Sequence, residues 1–193
     1  MKVLLVSEGK HELAGALETL ARRLVPRPFD CDLKNIRDPL LHTHPGKGPG
    51  YFKKALRCVR YAHEQGYDAI VLVIDQDDDV DRRRHLTDAQ NHTEVTTLAR
   101  ALGVAVRTFD AWMLADEQAL SKVLGKTIHS LPDPETTRDA KQVCINLRGA
   151  PGGTAGLAEM YGEIAVHVNL TVLEQRCPTG FGTFADRVRT LPI

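Results

Sequence analysis

Asp68-Ala-Ile-Val-Leu-Val-Ile74, running straight into Asp75-Gln-Asp-Asp-Asp79, is the stretch that decides the fold. An apolar run rich in Ile and Val, with no polar face, reads as a strand buried on both sides of a parallel sheet. Strands of that kind present chemistry at their carboxyl ends, where loops converge on a crevice. Here that end carries four carboxylates in five residues. Such a concentration of negative charge repels itself unless a cation sits within it. Hard oxygen ligands on a short loop suit Mg²⁺ or Mn²⁺. The alternative is a solvated acidic turn.

The amino terminus offers a matching half-site. Lys2-Val-Leu-Leu-Val6 is a second short apolar strand, and it ends in Ser7-Glu8-Gly9-Lys10-His11-Glu12. Leu13, Ala16, Leu17, Leu20 and Leu24 follow at helical spacing, so they predict one apolar helix face. A parallel core places Glu8 at a strand end. If that strand lies beside the Ile70–Ile74 run, Glu8, Asp75 and Asp77 converge as a metal constellation. Glu8 would also favour the dipole of the helix that follows. Glu12, at i+4 from Glu8, is either a further ligand or a solvated helix carboxylate. Asp79 is a weaker addition to the ligand set.

Bulk properties bound the alternatives. The chain of 193 residues suits one domain, or a core with a small appendage, and 42% hydrophobic residues suffice for a core. No apolar run approaches the roughly 20 residues that span a membrane. The opening Met-Lys-Val-Leu-Leu-Val is too short and too quickly charged for a secretory signal. Cys31, Cys58, Cys144 and Cys177 are scattered without a Cys-x-x-Cys pair. That pattern fits a reducing cytoplasm and argues against a zinc ribbon. A formal net charge of zero counts against autonomous tight DNA binding, which is usually carried by a basic footprint.

Strand and helix patterns alternate through the first two thirds. Phe29–Ile36 reads as a strand nearer the sheet edge, and 37–50 as a loop rich in Pro, Gly and His. Tyr51–Gln65 reads as a helix with Phe52, Ala55, Leu56, Val59 and Ala62 on one face. A polar helix is predicted from about His85 to Leu102, closed by Gly103. Val104–Phe109 then makes the last core strand, followed by a helix over Ala111–Leu124 closed by Gly125. Four strands alternating with helices imply a compact, mainly parallel α/β sandwich over residues 1–125. Residues 126–193 read as a helical extension folded on that core, with helices near 136–148, 154–169 and 180–190. Gly152-Gly153-Thr154 is a plausible helix start.

Glu8-Gly9-x-x-Glu12 after a first strand, with Asp75-x-Asp77 after a third, resembles the TOPRIM domain of topoisomerases, primases and overcoming-lysogenization-defect nucleases. The resemblance implies a TOPRIM/Rossmann-like sheet, proton transfer by Glu8, and Mg²⁺ held by Asp75 and Asp77. Phe109-Asp110-Ala-Trp112-Met-Leu-Ala-Asp116 is similar to the Glu-Ala-Trp-Leu-Leu-Ala-Asp segment of a small TOPRIM-like bacterial family. Asp110 stands where that family has Glu. Asp139-Ala-Lys141 resembles its Asp-Pro-Lys element, and Cys177-Pro-Thr-Gly-Phe181-Gly-Thr-Phe184 its Cys-Pro-Ser-Phe element. Members of that family are often encoded beside ABC-type ATPases in defence loci, so the resemblance implies an ATPase partner.

TOPRIM chemistry is phosphodiester cleavage or transfer assisted by one or two divalent ions. In that reading Lys141 stabilises charge on the scissile phosphate, or is an ordinary surface lysine. Lys10 and Arg82-Arg83-Arg84 are candidates for gripping a nucleic-acid backbone, the arginines alternatively balancing the acidic loop. His42 and His44 form an isolated His-x-His pair, more in keeping with a polar loop than a zinc site. Trp112, with Met113, suits core packing better than base stacking. A P-loop is excluded, because Leu120 stands where the first glycine before Gly125-Lys126-Thr127 would be. No primase-type zinc module is visible, and a topoisomerase would need further domains. The leading expectation is a Mg²⁺- or Mn²⁺-dependent nuclease gated by an ATPase. Its rivals are a weakly catalytic regulatory subunit and a small-molecule phosphohydrolase.

Overall fold

Four strands form one parallel sheet in the computed structural model of the chain. They are β1 (Lys2–Ser7), β2 (Asp30–Asn35), β3 (Ala69–Asp75) and β4 (Ala99–Ala105), in the order β2-β1-β3-β4. The structure describes residues 1–44, 46–149 and 156–192. The helix start read at Gly152–Thr154 lies outside the described residues. The helices are α1 (Ala16–Leu24), α2 (Pro39–His42), α3 (Gly50–Glu64), α4 (Asp81–Gln90) and α5 (Phe109–Trp112). After them come α6 (Glu117–Leu124), α7 (Ala140–Arg148), α8 (Leu157–His167), α9 (Leu170–Arg176) and α10 (Thr183–Arg189). Among the described residues no helix is long and apolar enough to cross a membrane, and all four cysteines are free thiols.

The continuous apolar runs exist because the central strands are covered on both faces. Leu4 and Val6 of β1 join Ile70, Leu72 and Ile74 of β3 in one cluster with Leu56 and Val59 of α3 and Leu86 of α4. Val3, Leu5, Val71 and Val73 join Leu17 and Leu20 of α1, Ile164 of α8 and Phe184 of α10 on the other face. Alternation along each strand divides the two sets. Burying each such side chain contributes about 1.5–3 kcal/mol before entropy is counted. β2 is an edge strand, which is why its sequence alternates loosely. The carboxyl-terminal helices α8 and α10 pack against α1 and β4 respectively.

The elements differ from the sequence expectation in several places, among them the unpredicted helix α9 over Leu170–Arg176. The helix predicted over His85–Leu102 ends at Gln90, and β4 occupies Ala99–Ala105 rather than Val104–Phe109. Ala-Arg-Ala-Leu favours helix locally, but pairing with β3 and burial under α10 override that preference. Gly103 is therefore a strand residue and not a helix stop. A Cβ there would lie 2.7 Å from Cδ2 of Phe184, so the glycine lets that ring close on the strand. Gln90 covers the free edge of β4: its Nε2 donates to Arg100 O at 2.9 Å and its Oε1 accepts from Leu102 N at 2.8 Å.

Another difference is in the helix predicted over Ala111–Leu124, which is two pieces, α5 and α6. Asp116 breaks it by capping α6, accepting from Gln118 N (2.9 Å) and Ala119 N (3.1 Å). A further one lies at the front of α1. A 3-10 turn over Glu12–Ala14 and a left-handed Gly15 precede it. Leu13 is only partly buried, while Glu12 turns inward. The loop predicted over 37–50 contains the short α2, started by Pro39 after the cap Asp38.

Candidate metal and phosphodiester site

The chain leaves β1 outward to β2, then crosses back to β3 on the other side of β1. The crevice between the carboxyl ends of β1 and β3 is thus the switch point of the sheet, where α/β folds bind ligands. Ser7 pairs in register with Val73, so Glu8 and Asp75 emerge side by side. A cavity of about 350 Å³ opens there, and Glu8, Lys10, Glu12, Asp75, Asp77 and Lys141 all line it, with Gly9, His11 and Arg37. Asp79, Arg83 and Arg84 lie outside its walls. Arg84 pairs with Asp81 at 3.1 Å, and Arg83 borders a separate cleft with Thr183 and Arg187.

Each carboxylate has a distinct environment. One Glu8 oxygen accepts from the Tyr51 hydroxyl at 2.5 Å, and the other from Asp75 N at 3.1 Å. Tyr51 sits in the first turn of α3, and burial followed by this bond raises its pKa. Asp75 Oδ1 accepts from Phe109 N at 2.7 Å. Burial first, then the charges of Glu12, Asp110 and Glu8, push the Asp75 carboxyl up to about 8 despite that bond. Asp77 holds a left-handed backbone (φ 49°), a conformation Asp tolerates better than most residues and one often found at functional sites.

Glu12 is folded back over the turn. One of its oxygens accepts from the Ser7 hydroxyl and from Gly9 N, each at 2.5 Å. A Cβ at Gly9 would fall 2.2 Å from Glu12 Oε1, so only glycine permits this closure. Burial raises the Glu12 pKa, the largest cause, against the two hydrogen bonds. Its inward turn answers the solvated-helix reading of this residue.

Positive charge enters from Arg82, Lys10, Arg37 and Lys141. Arg82, at the start of α4, donates from one guanidinium nitrogen to Asp77 at 2.7 Å and to the Asp75 carbonyl at 2.7 Å, with Glu8 at 3.4 Å. Its guanidinium also lies 4.3 Å from the Tyr51 ring centroid, and Asp79 pairs with its Nε at 3.7 Å. Of the three consecutive arginines, Arg82 balances the acidic loop locally. Lys10 is an exposed cation on the rim. Lys141, on the second residue of α7, stands 3.9 Å from Asp110 Oδ2. Asp139 caps α7 through Gln142 N at 3.2 Å and so fixes the turn that carries the lysine.

Beneath Lys141 lies a buried polar cluster. Asp110 is 3% exposed and takes a short hydrogen bond from the Tyr161 hydroxyl of α8. His11 meets the Tyr161 ring edge-on at 6.2 Å. Tyr51, Arg37 and Tyr161 were not found from the sequence. Each sits in an ordinary helix or loop context, and its role exists only because distant elements meet. Trp112 lies fully inside the core, stacked on Phe184 and edge-on to Phe181. His44 pairs with Glu64 at 3.1 Å, as befits a polar loop.

Comparison of the chain with family models, curated proteins and solved structures returned no match. The reading of the site therefore rests on its geometry and chemistry.

A hard divalent cation is matched by donor type, since every candidate ligand is a carboxylate oxygen. Charge matches as well, because burial and the charges of Glu12, Asp110 and Glu8 push the Asp75 carboxyl up, and among the described residues no basic side chain pairs with it. The arrangement is not preassembled: among the described residues no three His, Cys, Asp or Glu side chains stand together as a coordination group. Arg82 occupies Asp77 and approaches Glu8. Joining these carboxylates around an ion requires the guanidinium to give them up.

Proposed function

We propose that the chain is a divalent-metal-dependent phosphodiesterase acting on nucleic acid, a nuclease of TOPRIM-like type. The observation that carries this reading is the convergence of Glu8, Asp75 and Asp77 at the sheet's switch point, with Asp75 pushed up to about 8 by burial and then by the charges of Glu12, Asp110 and Glu8. A Mg²⁺ or Mn²⁺ ion would be held by Asp75 and Asp77 with Glu8. It would supply charge neutralisation of the phosphate and activation of the attacking oxygen. Glu8, bonded to Tyr51 and beside the cavity, is placed to accept or return a proton. Lys141, positioned by Asp110, faces developing negative charge on phosphate oxygens. Lys10 and Arg37 on the rim orient the backbone of the strand.

The protein works in the cytoplasm in this reading, consistent with its free thiols. The resemblance to the TOPRIM-like family extends this reading to an ATPase partner, which would supply nucleic acid to a chain of zero net charge and release the guanidinium from Asp77. The same Arg82 contacts favour a second reading, a regulatory subunit in which the guanidinium permanently replaces the metal. Incubation of purified protein with plasmid DNA and with tRNA in millimolar Mn²⁺, alone and with a co-encoded ATPase, separates them. Cleavage that Asp75→Asn and Asp77→Asn both abolish supports the nuclease. Absence of cleavage under every condition leaves the regulatory role.

A further inference from the structure

A second cleft of about 500 Å³ is built by the same two helices, α3 and α4, that carry Tyr51 and Arg82. Its walls come from the first turn of α3, the middle of α4 and the loop after α4. Phe52 follows Tyr51 directly, and His85 lies one helical turn beyond Arg82. Both residues that hold Glu8 and Asp77 are thus neighbours of residues that line this cleft. The volume falls in the range of small-ligand sites, about 300–1,000 Å³.

The lining combines flat aromatic surface with unspent polar groups. Phe52 and His92 meet edge to face with centroids 5.4 Å apart. His85 is 8% exposed, yet its Nδ1 has no hydrogen-bond partner among the described residues. A buried ring nitrogen left unpaired is costly unless something satisfies it. Asn91 supplies both a donor and acceptors to the same cleft, and Asp88 supplies acceptors. Arg84 stands at the rim. A heteroaromatic ring with donors and acceptors on its edge, attached to a phosphate, suits the Asn91 amide, the Asp88 carboxylate and the rim guanidinium of Arg84.

We propose that the cleft formed by Phe52, His85, Asn91 and His92 is a subsite for one unpaired nucleobase of the strand whose phosphate occupies the acidic cavity. The proposal rests on the nuclease reading for its substrate class. A base still paired in a duplex has its faces covered by its neighbours and cannot stack against Phe52 or His92 on the cleft side, so the subsite makes the protein selective for single strands. Stacking on aromatic side chains is sequence-tolerant and also compensates for the absence of a basic footprint.

The test is anisotropy of a fluorescein-labelled single-stranded oligonucleotide, its duplex, and an abasic strand of equal length, all in EDTA so that binding is read without cleavage. The base-bearing single strand is expected to bind about tenfold more tightly than either other ligand. Phe52→Ala should remove most of that advantage while leaving the abasic strand unchanged, and Phe52→Trp should preserve it. His92→Ala provides an independent arm if Phe52→Ala lowers the melting temperature. Equal binding of the abasic strand, or base-dependent binding untouched by both alanine variants, overturns the subsite. Base-dependent binding in a protein that never cleaves supports the subsite and overturns the nuclease reading alone. Cleavage with base-independent binding does the reverse.

Discussion

Replacing Asp75 by Asn probes the electrostatics of the cavity directly. The native pKa lies near 8 against an unperturbed value of 3.8, raised by burial and by Glu12, Asp110 and Glu8. Across that window the native state binds more protons than the unfolded chain, so metal-free stability falls as pH rises from about 4 to about 8. Each unit of pH costs about 1.4 kcal/mol, giving a ceiling of about 4 kcal/mol near neutrality. The cavity is open to water on one side, which reduces the expected loss to about 1–3 kcal/mol. Asn keeps the Oδ1 acceptor for Phe109 N and removes the charge. In EDTA, urea denaturation at about pH 5.5 and about pH 8.5 should show wild type losing stability at the higher pH. The Asp75→Asn variant should show a much flatter profile and exceed wild type at the higher pH. Parallel profiles for the two proteins, or a variant destabilised equally at both values, would refute the assignment of the repulsion to Asp75.

Three further outcomes follow from the packing and pairing. Gly103→Ala drives a methyl group against the Phe184 ring and should destabilise the fold by about 1–3 kcal/mol in the same denaturation assay. Tyr161→Phe leaves the buried Asp110 carboxyl without its hydroxyl donor and should cost about 1–3 kcal/mol, measured as a lowered melting temperature. Arg82→Gln frees Asp77 from its guanidinium partner and should tighten Mn²⁺ binding severalfold by isothermal titration; unchanged or weaker binding would mean that the arginine does not compete with the ion.

Much of the fold was legible because apolar runs without a polar face leave few alternatives to a parallel sheet covered on both sides. Val3–Val6 and Ala69–Ile74 are such runs, and the acidic residues after them fall at strand ends by necessity. β4 was misplaced because Leu98–Leu102 has good helix formers, and its strand state is set by β3, Gln90 and Phe184, all distant in sequence. The same limit applies within the site. Glu8, Asp75 and Asp77 announce themselves by type and spacing, whereas Tyr51, Arg37 and Tyr161 acquire meaning only when α3, the β2–α2 turn and α8 meet the sheet edge. The Arg82 contacts lay between the two: adjacency to the acidic loop suggested pairing, but only the structure shows which carboxylates it takes.

The central claim is that these carboxylates bind a divalent ion once Arg82 moves aside. Anomalous X-ray scattering from crystals soaked in millimolar Mn²⁺ reads this directly. The expected result is a peak in the cavity within about 2–2.5 Å of oxygens of Asp75 and Asp77, with the Arg82 guanidinium withdrawn from Asp77 and no peak in crystals of Asp75→Asn. Full Mn²⁺ soaking that leaves Arg82 on Asp77 and places no peak among Glu8, Asp75 and Asp77 would contradict it.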